Sequence, residues 1–569
     1  MTENTMNSGD TPLEDLGYSA PKVVAVFLVK FDTTIGYTLA WSKCNPGINL
    51  EGLEYKSLPS GLHETSSDTV LLTHSIGTKK YYGYTKFSQN DSQLATNQSV
   101  NRKDVKMFSL GILCDPSIDS TLQWKPNEFS SNGWEYMDDV SSTLESFVKQ
   151  SNLDDFDILK TLFNSLQQKK PIPLKSGIEN HLLHRLPCML QTLGPLVFCL
   201  YKQALLRKRI LFFNQNHSKV TNLDSGAFSY ILSLLSVVPK GVESLIGGLR
   251  HNQEYILYSQ PIYNVGLHDL EGELIGSTSC IGSTNDAILM YQSNIFDYAV
   301  MLPNDEIKDP FIVSSSILAS NHGHTPTPLD SSLKATLKDY YKFKLVYKEF
   351  FNHNNNKNNN NNKDQVPNSD DQASIKTKSS TFSQRFGAQF LNKFDSNDSN
   401  HKDDIEEPLW WLESATSPMS WREYIWSAFS WFASAGTVSN GENNIEDNNI
   451  EYDQRNDERN DEELKTRFLE LVEIVDKFHK LTKKWFYLVN EIVLEQVEEN
   501  RVQLVNGENE TLIEGPKLKL ELTYQDIVDM ELDPYSHEDI EFVKEFVLLY
   551  WGELVDSVEV GLGISGICC

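Results

Sequence analysis

The sequence predicts a mixed α/β (α+β) protein: a strand-rich first lobe, an α/β second lobe and a helical C-terminal lobe. Three observations predict it. Short β-type apolar runs separated by turn residues fill the first part of the chain, from Pro21 to Pro116. Helical and strand patterns then alternate up to about residue 345. A long stripe of apolar residues at helical spacing occupies the C-terminal part.

The first lobe begins with Lys22 to Val29, a continuous apolar run of the kind a strand buried on both faces carries. Ile35 to Trp41 follows after Asp32-Thr33-Thr34, which predicts a hairpin. Thr69 to Thr73 and Lys80 to Tyr84 pair around Gly77, and Lys106 to Cys114 adds a strand before Asp115-Pro116. Val140 to Lys149 then reads as a helix.

In the second lobe Leu196 to Arg207 reads as a helix, with Pro195 at its first position, where the missing N–H costs nothing. It runs into the strand Arg209 to Phe213. Phe228 to Val238 is a helix ended by Pro239. Tyr255 to Tyr258, Thr278 to Ile281 and Tyr298 to Leu302 are expected strands, and Asp286 to Tyr291 a helical turn. Strands alternating with helices predict a doubly wound α/β arrangement.

Composition then changes. Asn352 to Asn362 holds nine asparagines, and the polar stretch to residue 407 lacks periodicity; residues 437–463 contain ten acidic and two basic side chains. Neither segment carries enough apolar surface to offset its ordering entropy, so both are expected to be disordered. Between them, residues 408–436 hold five of the ten tryptophans. Trp426, Phe429 and Phe432 recur at helical spacing, and the run is too short to cross a bilayer and too poor in Lys and Arg for an interfacial helix. It is expected to dock on the core. Leu464, Phe468, Leu471, Val475, Phe478, Trp485, Val489 and Ile492 form one apolar helical face, with Thr482 as its polar break. This face predicts intramolecular packing, as in a helical hairpin. Ser536 with Asp539 resembles a capping box opening a last helix that ends at Gly552.

The formal net charge of −29 over 569 residues argues against nucleic acid as a partner, because its binders present a basic face. It equally disfavours electrostatic docking on an anionic leaflet. No stretch of 18 apolar residues occurs, and Met1 to Ala20 is acidic without an apolar run, so neither a membrane span nor a signal peptide is expected. Cys44, Cys114, Cys188, Cys199 and Cys280 are scattered and read as reduced thiols of a cytoplasmic protein. Cys568 and Cys569 close the sequence after a tail of small residues, 561–569, and are the candidate lipidation sites. The ending is not C-a-a-X, which leaves prenylation of a Cys-Cys end and palmitoylation both open. Two chains would hold the protein stably at a membrane.

Motifs for covalent or metal chemistry are not found: there is no phosphate-binding G-x-x-x-x-G-K-[ST] loop, no H-E-x-x-H and no G-x-S-x-G. No catalytic residue, cofactor or metal is therefore assigned. His181 and His184 stand at near-ligand spacing but lack companion ligands and read as structural. Arg207, Lys208 and Arg209 form a basic cluster at a helix-to-strand junction. They either favour the helix C-terminus through its dipole or contact an acidic partner.

Several of these runs together resemble the DENN-domain proteins, and within them the LCHN-type subgroup. The matching blocks are Lys22 to Val29, Gly36 to Trp41, Tyr55 and Ser57 to His63; then Leu205 to Phe213, Pro261 to Leu270, Thr284 to Leu289 and Phe296 to Tyr298. Pro408 to Trp411, Tyr424 to Gly436 and Asp529 to Pro534 follow late in the chain. The likeness covers about 21–345 and 408–555. It implies a longin-like lobe at 21–170, a central DENN α/β lobe at 171–350 and a helical lobe at 464–560, between a flexible 1–20 tail and the Cys-Cys tail. It also implies guanine-nucleotide exchange on a Rab-type small GTPase docked between the first two lobes, at the cytosolic face of endomembranes. A trafficking scaffold of the same architecture, binding a GTPase or coat protein without exchange, is the alternative.

Overall fold

The computed structural model describes residues 21–32, 35–59, 66–77, 79–89, 107–115, 132–168, 178–215, 218–246, 256–270, 280–292, 294–320, 324–359, 407–418, 459–505 and 517–561. Both tails with Cys568 and Cys569, most of the two inserts expected to be disordered, and Trp421 to Gly436 lie outside the described residues.

Strands β1 (Lys22–Asp32), β2 (Gly36–Cys44), β3 (Ser67–Ile76), β4 (Lys79–Gln89) and β5 (Met107–Asp115) form an antiparallel sheet in the order β2-β1-β5-β4-β3. The apolar run of β1 is buried on both faces. Val26 and Leu28 join the main core, beneath α1 (Met137–Val148) and α2 (Asp157–Gln168), while Ala25, Phe27 and Val29 meet Leu50, Leu53 and Leu58 on the other side. β2 is the edge, and each of its residues retains some exposure.

The second sheet has the order β10-β9-β6-β8-β7, built from β6 (Ile210–Phe213), β7 (Gln260–Ile262), β8 (Cys280–Thr284), β9 (Tyr298–Met301) and β10 (Phe311–Ser314). Its pairs are parallel except that of β10 with β9. β6 is central, and the chain proceeds to β8 on one side and to β9 on the other, the alternation expected of a doubly wound sheet. α3 (Leu186–Leu193), α4 (Leu196–Leu205), α5 (Asn222–Leu235) and α6 (Ser315–Ser320) complete the unit. α5 is buried all round from Asp224 to Leu235 and packs on β3 of the first sheet as well as on β8. Gly226 permits this approach: a Cβ there would lie 3.0 Å from the Leu71 side chain.

Beyond the sheets come α7 (Leu337–Asn359), α8 (Trp410–Glu413), α9 (Arg459–Val505), β11 (Leu518–Thr523), α10 (Tyr524–Asp529), α11 (His537–Trp551) and β12 (Val555–Gly561). α9 has 47 residues and is therefore about 70 Å long. Its stripe packs intramolecularly: Phe478 stacks on Phe198 of α4, and Trp485 and Phe486 pack on Phe546 of α11. The polar break Thr482 is buried and bonds the Tyr201 hydroxyl. One apolar core runs from the first sheet through α5 to α9 and α11.

Five expectations need correction. No strand covers Ile256 to Tyr258, the described part of the run expected from Tyr255: the carbonyls of Ile256 and Leu257 accept from Arg207 and from the Val238 N–H, and pairing starts at Gln260. Pro195 is the N-cap of α4 rather than its first residue. α7 continues to Asn359, past the boundary expected at 351. Ser536 caps α11, but the Asp539 carboxylate accepts from the Asp533 N–H and from Lys202, so no reciprocal box forms. The C-terminal lobe also holds the parallel pair β11–β12, whose Leu518, Leu520 and Leu522 alternate at strand period.

Candidate functional site: the seam between the two sheets

The segment 260–270 of the second unit lies across β3 and β4 of the first. Tyr263 exchanges two hydrogen bonds with Thr73: its N–H donates to Thr73 Oγ1 at 2.8 Å, and its carbonyl accepts the Thr73 N–H at 3.2 Å. The Tyr82 hydroxyl donates to the Pro261 carbonyl at 3.2 Å, Lys80 to Gln260 at 2.8 Å, and Asn222 to Asp68 at 2.7 Å.

Two short turns meet at one end of this seam. On the first side, Leu53–Tyr55 forms a 3-10 turn after Gly52, which adopts φ 85°. Leu53 points into the core, Tyr55 points out, and Lys56 points back in. On the second side, Leu267–Leu270 is fixed by the Asp269 carboxylate, which accepts the Gly266 N–H at 2.9 Å. The turns bind each other in two tiers. In the inner tier Lys56 Nζ pairs with Asp269 Oδ1 at 2.7 Å and donates to the Thr73 carbonyl at 2.6 Å. Asn264, at φ 48°, donates from Nδ2 to the Lys56 carbonyl at 2.7 Å. Lys56 is only 4 % exposed; burial pushes its ammonium pKa down, and Asp269 pushes it back up.

In the outer tier Tyr55, half exposed, stacks on His268 with ring centroids 4.2 Å apart and planes 22° apart. Tyr37 of β2 meets Tyr55 at 6.2 Å and Phe31 at 5.3 Å. Leu39 and Leu267 are also partly exposed. An aromatic row thus crosses from the edge of the first sheet onto the second unit. This surface can bind a partner; it holds no arrangement of nucleophile and base. Among the described residues no group of His, Cys, Asp and Glu side chains is placed to hold a metal ion.

The residues singled out in the sequence lie elsewhere. Arg207, at φ 59°, donates to the carbonyls of Ile256, Ala204 and Ser236. Lys208 pairs with Glu545 of α11 at 2.6 Å, and Arg209 with Asp297 at 2.9 Å. Each of the three thus has a partner inside the chain, joining α4 to its neighbours. His181 is buried, caps the turn Leu182–Arg185 by accepting the Leu183 N–H, and packs edge-on against Trp134, Tyr230 and Phe468. His184 faces Phe468. Sequence reasoning assigned no role to Tyr55 or His268. Their only signal was that both stand in blocks carrying the family resemblance.

A second charged cluster is wholly internal. Lys202 of α4 lies 2.5 Å from both Asp339 of α7 and Asp539 of α11, and Lys342 approaches Asp339 at 3.2 Å. Burial opposes ionisation of Asp339, but Lys202 and Lys342 outweigh it and hold its carboxyl at about 2. Burial opposes the charge of Lys202 too, yet the two aspartates raise its pKa. This cluster joins three helices and does not face the seam.

Residues 26–312, which contain the seam and all but the outermost residues of both sheets, match the family described as "DENN domain-containing protein 11". Residues 416–568 match a family described as "Domain of unknown function (DUF4484)". The chain is 31% identical over 343 residues to "Uncharacterized protein ANR2" of Saccharomyces cerevisiae, covering 54% of this chain and 64% of that protein. It is 32% identical over 207 residues to "DENN domain-containing protein 11" of Danio rerio, covering 34% and 39%. With the Xenopus laevis protein of that name it shares 26% over 309 residues, covering 52% and 63%. In each case the match spans less than two thirds of the relative's length.

Proposed function

Because the chain belongs to the DENN domain-containing protein 11 family, we propose that it is a guanine-nucleotide exchange factor for a Rab-type small GTPase. It works at the cytosolic face of endomembranes, held there by lipid on Cys568 and Cys569. The observation that carries the reading is that the family match takes in all but the outermost residues of both sheets and the hydrogen-bonded seam between them. DENN-domain proteins typically act on Rab GTPases, and a two-sided rigid surface is what exchange by binding requires. Such a factor needs no proton shuttle. It binds the nucleotide-free GTPase more tightly than the loaded form and so shifts the population. A hundredfold preference corresponds to about 2.7 kcal/mol of differential contact energy.

The test is release of a fluorescent GDP analogue from a panel of purified Rab proteins with and without the full chain. Acceleration of at least about tenfold for one or a few of them is expected. Binding without acceleration across the panel would replace the exchange reading by a scaffold that holds a GTPase.

A further inference from the structure

We infer that the outer edge of β12 is a docking site for an extended segment of another protein, which adds a third strand there and alternates apolar with basic residues. The inference stands apart from the exchange-factor reading and holds or falls without it.

The main-chain hydrogen bonds show which groups this edge presents. In the parallel pair β11–β12, Leu520 faces Val558, Glu521 faces Glu559 and Leu522 faces Val560. In such a ladder only alternate residues of a strand turn their N–H and C=O toward the neighbour. Glu521 turns both away from β12: its N–H donates to Gln496 Oε1 at 3.0 Å, and its carbonyl accepts from Gln496 Nε2 at 2.6 Å. Leu520 and Leu522 are therefore the residues of β11 that bond to β12, and they do so through Ser557, Glu559 and Gly561. Val558 and Val560 are left with N–H and C=O pointing outward, and no hydrogen bond among the described residues reaches them.

The two edges of this small sheet thus differ. Beside β11 the carboxamide of Gln496 on α9 stands where the next strand would bond, whereas β12 has no such cover among the described residues. An unpaired edge is a template for another strand. Extended peptides that add to such an edge gain affinity from main-chain bonds and specificity from alternate side chains.

The side chains of β12 select the occupant. Val558 and Val560 face inward with Leu518, Leu520 and Leu522. Glu559 lies on the opposite, solvent-facing side, where Lys519 pairs with it at 2.7 Å, and Glu553 and Asp556 are exposed nearby. An added strand therefore meets apolar positions opposite both valines and an acidic position between them, which fits an apolar, basic, apolar order. A second copy of this chain fits poorly. The antiparallel register that uses both valines of both strands sets Glu559 directly opposite its own copy, and like charges so placed are destabilising.

The experiment uses the full chain and a fluorescein-labelled peptide, Ser-Lys-Val-Lys-Val-Lys-Ser, with affinity read by fluorescence anisotropy and folding by thermal melting. The same residues in the order Val-Val-Ser-Lys-Lys-Lys-Ser keep the charge and lose the alternation. The alternating peptide is expected to bind at least about tenfold more tightly than the reordered one. Val560→Pro removes an outward N–H and leaves the bonds to β11 in place, as an edge strand tolerates. It is expected to weaken binding at least about tenfold while the melting temperature stays within a few degrees. Glu559→Lys is expected to shift the preference to a peptide with glutamate in place of lysine. Should Val560→Pro lower the melting temperature, hydrogen exchange of the wild type decides instead: the alternating peptide is expected to slow exchange across 555–561 and the reordered one is not. Equal binding of the two peptides, a folded Val560→Pro that binds as the wild type does, or exchange unchanged by the alternating peptide overturns the docking site. A wild type that sediments as a dimer and is dissociated by Val560→Pro places a second copy on this edge and overturns the partner named here.

Discussion

His181 shows how one side chain's surroundings decide its chemistry. Its Nδ1 accepts the Leu183 N–H, which requires that nitrogen to be unprotonated, and its ring is enclosed by Trp134, Tyr230 and Phe468. Burial first, and then the neighbouring His184, push its pKa down to about 3. An unfolded histidine titrates near 6.5, so between about pH 6.5 and 3 the unfolded chain binds a proton that the folded chain refuses. This contribution to stability is full above pH 6.5 and falls with pH through that window, by at most about 1.4 kcal/mol per pH unit. Denaturant titrations of the wild type and His181→Gln from pH 7 to 4 should show a shallower slope in the variant. Equal slopes would mean that His181 is protonated in the folded protein. The sequence put His181 on the structural side without showing why, because Phe468 and Tyr230 reach it only through tertiary folding. The same holds for Arg207, Lys208 and Arg209. Their charges were plain in the sequence, but Glu545, Asp297 and the Ile256 carbonyl come from distant segments.

Among the elements, the strands of the first sheet were legible because burial leaves a pattern in the local sequence, whereas β10, β11 and β12 were not foreseen. The five strands of the first sheet stand where the apolar runs put them, and β11 alternates visibly once it is seen as a strand. β7 was missed because its three residues include Pro261, which has no N–H to donate, and because Tyr255 to Tyr258 offers a stronger β-like run close by. In the structure Gly83 of β4 sits against β5 so closely that a Cβ there would lie 1.9 Å from the Ile112 carbonyl oxygen. That obstacle is backbone held in a central pair of strands, so it cannot turn aside as a side chain would. Gly83→Ala should therefore cost about 3 kcal/mol or more, at the upper end of overpacking changes. Chemical denaturation measures it directly, and a change below about 1 kcal/mol would mean that β4 and β5 part more easily than their registered pairing suggests.

Across the whole molecule, the two family matches do not correspond to two folding units. Lys202 belongs to the first matched region, Asp539 to the second, and Asp339 to the stretch between them. The same helix, α4, presents Phe198 and Tyr201 to α9 and receives the Tyr550 hydroxyl on its Leu205 carbonyl. Residues 21–416 alone would expose that face to water and leave Lys202 with one of its two carboxylates. Expressed without 459–561, they should be insoluble or show near-native far-UV but collapsed near-UV circular dichroism. In the full chain, Lys202→Met should cost about 3–5 kcal/mol, because it leaves Asp339 and Asp539 buried with their main counter-charge gone. The two experiments probe the same joint from opposite sides, one by removing a whole layer and the other by removing a single ammonium group. A soluble 21–416 fragment with a sharp thermal transition would make the second region a separable module. One cooperative unit instead requires both sheets and α9 to α11 to melt together.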